Sequence, residues 1–301
     1  MSAAPEAARA ILYALGANLA IALAKYAAAA ATGSGSMLAE AVHSTADCGN
    51  QLLLMLGMRR AKRPPTPDHP LGHGKETYFW SFIVALLLFS VGGLFSIYEG
   101  CHKLGSREPV TRPLIALGVL AFSIAAESIS MWGVMREVGK VRGERGLLAW
   151  LRETRDSELV VVLGEDFAAL VGLVLAFAAV AATAATGHPG FDAAGSIAVG
   201  ILLVGVAAAV AIQVKSLLVG QGVEPAEREA MVRFLAAQPA VAEVIEVLTL
   251  HMGGDVMVAV KARMDPQPSV DALVREINAI EAALRARFPK IRWVFFEPDV
   301  R

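Results

Sequence analysis

One stretch of the chain combines the length of a membrane-spanning helix with side chains that can do chemistry. It is MLAEAVHSTADCGNQLLLMLG, residues 37–57, and its polar residues are Glu40, His43, Asp47, Asn50 and Gln51. Residues three, four and seven positions apart share one face of a helix, so these side chains form one polar stripe. An ionisable group in hydrocarbon costs about 2.5–3.5 kcal/mol on insertion scales, so we expect something to compensate it.

The chemistry that this spacing favours is metal binding. His43 and Asp47 lie one helical turn apart, and an imidazole nitrogen and a carboxylate can bind one zinc ion at about 2.0–2.2 Å. The alternative is that polar groups only hydrogen-bond neighbouring helices, at about 0.6 kcal/mol for each bond. For the amides Asn50 and Gln51 both interpretations stay open.

Further acids occur in other apolar segments, and we interpret them individually. Glu165 and Asp166 are adjacent, and adjacent residues of a helix point about 100° apart, so we expect one of them, Asp166, to face the same site. Glu127 is as compatible with a helix-to-helix hydrogen bond as with function. Asp192 begins a segment, where an acid stabilises the helix dipole.

Six apolar segments are long enough to cross a bilayer, for which about 20 residues are needed. They cover residues 8–31, 36–58, 78–101, 113–135, 157–186 and 191–219. The composition agrees, since 55% of the residues are hydrophobic and 18% are charged. The net charge of −1 argues against a nucleic-acid partner.

The charges of the connecting loops predict the orientation of the helices. The loops after the second and fourth segments are rich in Lys and Arg, whereas TGSGS and TGHPG contain neither. By the positive-inside rule both termini lie in the cytoplasm, which fits an even number of spans. We expect a multi-pass integral membrane protein, placed in a bacterial inner or plasma membrane.

The last 80 residues have a different pattern. They predict an amphipathic helix, two alternating strands around a Gly-Gly turn, a second amphipathic helix and a last strand. The order α-β-β-α-β is typical of a small α+β domain with helices on one face of a sheet. We therefore predict an α-helical membrane domain over residues 1–219 and a cytoplasmic α+β domain over residues 220–301.

Three patches give the chain a family resemblance. They are HSTADCGNQ, HPLGHGKETYFWSFIVALLLFSVGGLFSIYEG, and LGEDFAALVGLVLA together with DAAGSIAVGILLV. With these motifs the chain resembles the cation diffusion facilitators, which are proton-coupled transporters of zinc and other divalent metals. The resemblance covers nearly the whole chain, and the GED variant is similar to the branch of mitochondrial or nuclear-associated zinc transporters.

The resemblance implies a set of metal ligands. The family joins an HxxxD or DxxxD pair on the second helix, which His43 and Asp47 match, to a similar pair on the fifth, where Asp166 matches the acid. The partner position four residues earlier is Val162, so the chain departs from the four-ligand pattern. Glu165 is the nearest replacement, and Asn50 or a water molecule would complete the coordination.

The resemblance also implies a possible second site and a dimer. Asp68, His69 and His73 partly match a metal site in the family's cytoplasmic loop, although a loop shaped by Gly and Pro explains them equally well. The C-terminal domain, ferredoxin- or metallochaperone-like in the family, is expected to form a homodimer with weak or no zinc binding. We expect His251 to be a surface residue of a strand.

The function that these observations favour is antiport of a divalent metal, zinc above all, against protons, with export from the cytoplasm by alternating access. The metal is the substrate, and no cofactor is expected. The alternatives are iron, manganese or cobalt as substrate, or a scaffold or regulator whose site is crippled by Val162. An enzyme is not expected, because the sequence contains no nucleophile motif, phosphate-binding loop or cofactor motif.

Overall fold

The computed structural model describes residues 4–32, 35–106 and 113–300, without the side chains at 4, 29, 31, 32, 35–40, 42, 43, 46 and 106. In these residues, long helices precede a small sheet. The helices of the first part are α1 Ala4–Thr32, α2 Gly35–Ala61, α3 Glu76–Leu87, α4 Phe95–Ser106, α5 Pro113–Arg142, α6 Leu147–Glu153, α7 Ser157–Thr186 and α8 Gly190–Gly220. A π-helical segment, Leu88–Leu94, joins α3 to α4.

Five stretches of the described residues are helical, long and apolar enough to cross a membrane: Pro5–Ala28, Glu76–Gly105, Pro113–Arg142, Ser157–Thr186 and Gly190–Ala236. They confirm five of the six predicted spans. The sixth, α2, has 27 residues and a length of about 40 Å, which suffices for the hydrocarbon core. It does not reach the same hydropathy because it carries the polar stripe, so its span stays a prediction.

The long helices enclose a shared interior. Helix α1 packs against α2 and α5, α7 lies between α5 and α8, and α8 packs against α3 and α4. The largest apolar side chains buried between them include Ile11, Leu54, Trp150, Leu159 and Leu217. Helices α2, α5 and α7 therefore present side chains to one interior, where the polar residues of the sequence are found.

The helix α8 contacts α3 and α4 at very short distance. A Cβ atom at Gly93 would overlap Val204, and one at Gly200 would overlap Ile97. Only glycine leaves room for the two backbones at this contact. The packing fixes the position of α8 against the helical segment that contains the π-helical turn.

The C-terminal residues form the predicted α-β-β-α-β order. The elements are α9 Pro225–Ala236, β1 Val241–Met252, β2 Asp255–Met264, α10 Val270–Arg287 and β3 Ile291–Asp299. Strands β1 and β2 are antiparallel, and α10 crosses over to place β3 parallel to β2. Helix α10 begins where the Ser269 side chain accepts a hydrogen bond from the Ala272 N–H, as an N-cap. Since α8 ends at Gly220, the predicted domain boundary falls at a helix end, and the division itself stays a prediction.

The expectation for His251 was wrong. This residue of β1 is buried, and its Nδ1 lies 2.8 Å from the Tyr78 hydroxyl at the start of α3. The same hydroxyl accepts a hydrogen bond from the Gly253 N–H at 2.9 Å, so its own hydrogen is available for His251. The sequence pattern placed His251 on a solvent-facing strand because it contained no sign of this contact with the helical part.

Candidate metal site

Two amides of α2 hold the carboxylate of Glu165 on α7. The Asn50 Nδ2 donates to Oε1 at 2.9 Å, and the Gln51 Nε2 donates to Oε2 at 2.8 Å. All three side chains are buried. Glu165 therefore faces α2 and the interior of the bundle, not lipid, and each of its oxygens has a neutral donor.

Asp166, the next residue of α7, faces a different helix. Its Oδ2 accepts a hydrogen bond of 2.6 Å from the hydroxyl of Ser130 on α5, and only 1% of the residue is exposed. The two neighbouring acids are thus both inside the bundle, one toward α2 and the other toward α5. Their divergence by about 100° separates the helices that they contact, and both remain in the interior.

A buried acid of α5 joins this region. Glu127 is 2% exposed, and its carboxylate interacts electrostatically with Asp166, Glu165 and Asp47. Asp47 also interacts electrostatically with Glu165. Acids from α2, α5 and α7 therefore share one interior, which we call the acidic centre: Asp47, Glu127, Glu165 and Asp166.

The described side chains of the acidic centre do not converge as a preformed metal site. Among the described residues, no three His, Cys, Asp or Glu side chains lie close enough together to hold a metal ion. The predicted ligand His43 belongs to α2, but its side chain lies outside the described residues. The structure thus brings together Asp47, Asn50, Glu165 and Asp166 and leaves the coordination of a metal to be proposed.

Val162, the position that departs from the family pattern, is fully buried in α7. It belongs to an apolar cluster with neighbours such as Leu54 and Val210. Its side chain offers no lone pair to a cation. Any further ligand on α7 must therefore come from Glu165, one residue before Asp166.

The polar residues of α5 are members of the site that sequence reasoning did not assign. Ser123, Glu127 and Ser130 are all buried, and they lie at positions i, i+4 and i+7. This spacing places them on one helix face. The periodicity that found the stripe of α2 would have found this second stripe if it had been applied to α5.

The first helix contributes polar contacts to the opposite side of α2. The Asn18 Nδ2 lies 3.4 Å from the Gln51 Oε1, and the Lys25 Nζ donates to the Ser44 Oγ at 2.9 Å. Gln51 thereby links α1 to Glu165 on α7. The polar face of α2 is bonded from two sides, which explains how this helix keeps its place among apolar neighbours.

The predicted loop site is only partly assembled. The imidazole rings of His69 and His73 lie 4.5 Å apart between their centroids. Asp68 is exposed, and the loop is closed by mutual backbone hydrogen bonds between Thr66 and His69. The two histidines face each other in a way that a metal or a stacking contact would equally explain.

Comparisons with known proteins give the family. A model described as the cation efflux transmembrane domain matches residues 11–219. The mitochondrial proton-coupled zinc antiporter SLC30A9 of Xenopus laevis is 33% identical over 265 residues, which are 84% of this chain and 47% of that protein. The human protein of the same name is 32% identical over 224 residues, 74% of this chain and 39% of its own length.

A plant relative is similar to the same degree. Metal tolerance protein C4 of Arabidopsis thaliana is 32% identical over 229 residues, 75% of this chain and 50% of its own length. The chain thus spans about half or less of the length of these relatives. Two of the three are named mitochondrial, so they give no support to a bacterial plasma membrane. Because the domain model matches more than half of the chain, the resemblance is confirmed, and this membrane protein belongs to the cation efflux family.

Proposed function

We propose that the chain is a zinc/proton antiporter that moves metal away from the side of the membrane that holds its termini. The observation that carries this proposal is the acidic centre, where Glu165 and Asp166 are held by amides and a hydroxyl instead of cations. A neutral donor satisfies lone pairs but leaves the charge uncompensated. The proposal is also supported by relatives that are named proton-coupled zinc antiporters.

The proposed ligands of the transported ion are His43, Asp47 and Asp166, with Glu165 or Asn50 completing the coordination. Carboxylate and imidazole donors suit zinc. Both oxygens of Glu165 are engaged by Asn50 and Gln51 in this conformation. A metal that takes Glu165 as a ligand must therefore displace at least one amide, so entry of the ion rearranges α2 against α7.

Coupling to protons follows from the chemistry of the ligands. Carboxylates and imidazole bind metal only when they are deprotonated, so binding releases protons and depends on pH. The acidic centre then holds either a dication or protons, and each excludes the other. An acid buried in hydrocarbon is costly when charged and unpaired, which makes the empty, fully ionised site the least stable state.

Vectorial transport requires that the site open to one side at a time. Metal binds from the cytoplasmic side, the helices rock, and protons from the other side displace the ion. The residues after Gly220 form the dimerisation unit in this proposal, and Asp68, His69 and His73 are a secondary metal site in the loop. These assignments rest on the family resemblance and the basic loops on the side of the termini.

The test is zinc flux in proteoliposomes with an imposed pH gradient. We expect zinc to accumulate inside vesicles whose lumen is acidic and an ionophore that collapses the gradient to stop the uptake. Asp47→Asn removes one charged ligand and should lower the rate at least a hundredfold, about 3 kcal/mol. The matched control is Asp192→Asn, in an acid that is ion-paired with Lys103 at 3.1 Å at the end of the bundle.

The outcome also decides between substrates and against transport. If zinc does not move, the same vesicles are tested with manganese, iron and cobalt, since ligand type alone does not select among these metals. Uptake of one of them would replace zinc as the substrate. Silence with all four would contradict transport and favour a scaffold or regulator with the same fold.

A further inference from the structure

A lysine is buried in the helical bundle next to the polar face of α2. Lys25 of α1 is 7% exposed, and its Nζ donates to the hydroxyl of Ser44, which is 3% exposed. A basic residue inside a membrane domain is expensive and is a functional hypothesis by default. The sequence motifs and the metal chemistry above do not use it.

The position of Lys25 relative to the acidic centre follows from two contacts between α1 and α2. Lys25 contacts Ser44, and Asn18 contacts Gln51, so a separation of seven residues on α1 matches seven on α2. Between the two contacts lies Asp47, three residues after Ser44 and on the same helix face. The rise of a helix places the two Cα levels about 4.5 Å apart along the axis.

We propose that the ammonium of Lys25 is a built-in counter-cation of the acidic centre, which weakens metal binding enough for release. This inference deepens the proposed function and rests on it. The four acids of the centre have hydrogen-bond donors that are neutral where the structure gives them, so a fixed positive charge one turn away offsets part of their field. A dication then enters a site that is less negative, and it leaves more easily.

The expected size follows from Coulomb's law. At about 8–10 Å and an effective dielectric constant near 20, a unit charge repels a dication by several kcal/mol, and relaxation and water reduce this. We therefore expect roughly a tenfold change in zinc affinity when the charge is removed. A role limited to the hydrogen bond with Ser44 would produce no such change, because the bond does not need the charge.

The decisive variant is Lys25→Gln, which retains an N–H donor for Ser44 and removes the charge. Lys25→Arg retains the charge, and Lys215→Gln changes an exposed lysine of α8 as the matched control. Zinc dissociation constants are measured by titration calorimetry on the detergent-purified full chain. Zinc KM and turnover are measured separately in proteoliposomes.

We expect Lys25→Gln to lower both the zinc dissociation constant and KM about tenfold and to lower turnover, since release becomes slower. Lys25→Arg should restore native values within about twofold, and Lys215→Gln should match the native chain. Lys25→Met, of similar length and without charge, gives the same reading if the glutamine variant does not purify as a single species.

A native dissociation constant in Lys25→Gln, with native KM and turnover, overturns the inference while the antiport proposal stands. Equal losses in the arginine and glutamine variants, without tighter binding, would also overturn it and assign Lys25 to helix packing. If the native chain neither binds nor moves zinc, the proposed function fails, and this inference fails with it.

Discussion

The acids at the ends of the helical bundle and those at its centre have different partners. Near the end of α5, the buried Glu137 pairs with Arg9 at 3.2 Å and Lys140 at 2.5 Å. At the start of α8, Asp192 pairs with Lys103. At the centre, Glu165 is held by two amides and Asp166 by a hydroxyl.

This difference separates structural from functional acids. An acid with a fixed cation already has the charge it needs, and its removal affects only the packing of helices. An acid with a neutral donor is satisfied in its hydrogen bonds but not in its charge. The centre of the bundle is therefore the place where a mobile cation, a metal or a proton, has an energetic role.

The largest expected effect comes from exchanging a charge at each place. Asp166→Asn retains the size of the side chain and an acceptor for Ser130, but it loses the negative charge. We expect zinc uptake in proteoliposomes to fall at least a hundredfold, about 3 kcal/mol, whereas Asp192→Asn changes it less than twofold. Similar losses in both variants would remove the distinction between centre and ends.

The second prediction extends the comparison to a buried contact outside the membrane. Burial lowers the pKa of His251 from its usual 6.5 to about 4, and the cations Lys290 and Arg155 lower it further in the same direction. The docked state thus binds fewer protons than the undocked state. The contact is fully stable above pH 6.5 and weakens as the pH falls toward 4, by about 2 kcal/mol between pH 7 and pH 5.

Melting of the detergent-purified chain as a function of pH measures this effect. His251→Gln retains an acceptor for the Tyr78 hydroxyl but does not titrate, so its melting temperature should depend less on pH over this range. A native chain and a glutamine variant with parallel pH profiles would contradict the assignment of the effect to His251.

A third, smaller effect concerns Glu165. Glu165→Gln replaces a charged acceptor with an amide whose one oxygen cannot accept from both Asn50 and Gln51 in the same way. We expect zinc uptake to fall about tenfold, corresponding to 1.4 kcal/mol, with a smaller dependence on the pH gradient. Uptake at the native rate would show that this carboxylate serves packing alone.

The smallest effect is expected at the matched glutamate of the bundle end. Glu137→Gln breaks ion pairs with side chains that are 50% and 36% exposed, so solvent screening limits the loss to about 1 kcal/mol of stability. The melting temperature should fall by a few degrees, while zinc uptake for each folded molecule stays native. A transport defect larger than that of Glu165→Gln would reverse the comparison.

The sequence predicted the elements of the fold more completely than the contacts of the site. Apolar length determined five spans, and alternation with a Gly-Gly turn determined the β1–β2 hairpin. The bond between Asn50 and Glu165, however, joins residues 115 positions apart, and the bond between Tyr78 and His251 joins residues 173 positions apart. Such pairs depend on how helices pack, and periodicity along one helix contains no information about its neighbour.

The choice between Glu165 and Asp166 shows the same limit. Their angular separation was predicted correctly from helix geometry, but the expectation that one would leave the interior assumed a single partner helix. With α2 on one side and α5 on the other, α7 has polar neighbours in two directions. The number of helices around a residue is a property of the bundle and cannot be read from one segment.

The π-helical segment Leu88–Leu94 has a consequence for how this chain tolerates change in length. A π-helical turn contains about one residue more than an α-helical turn, so it shifts the angular register of everything that follows it. Deleting one residue there would restore a regular helix and rotate Phe95–Ser106 by about 100° relative to α3. Gly100 would then turn away from α8, where no Cβ fits against Ile197. A single-codon deletion at this point should therefore be more harmful than several substitutions on the lipid-facing side of the same helix.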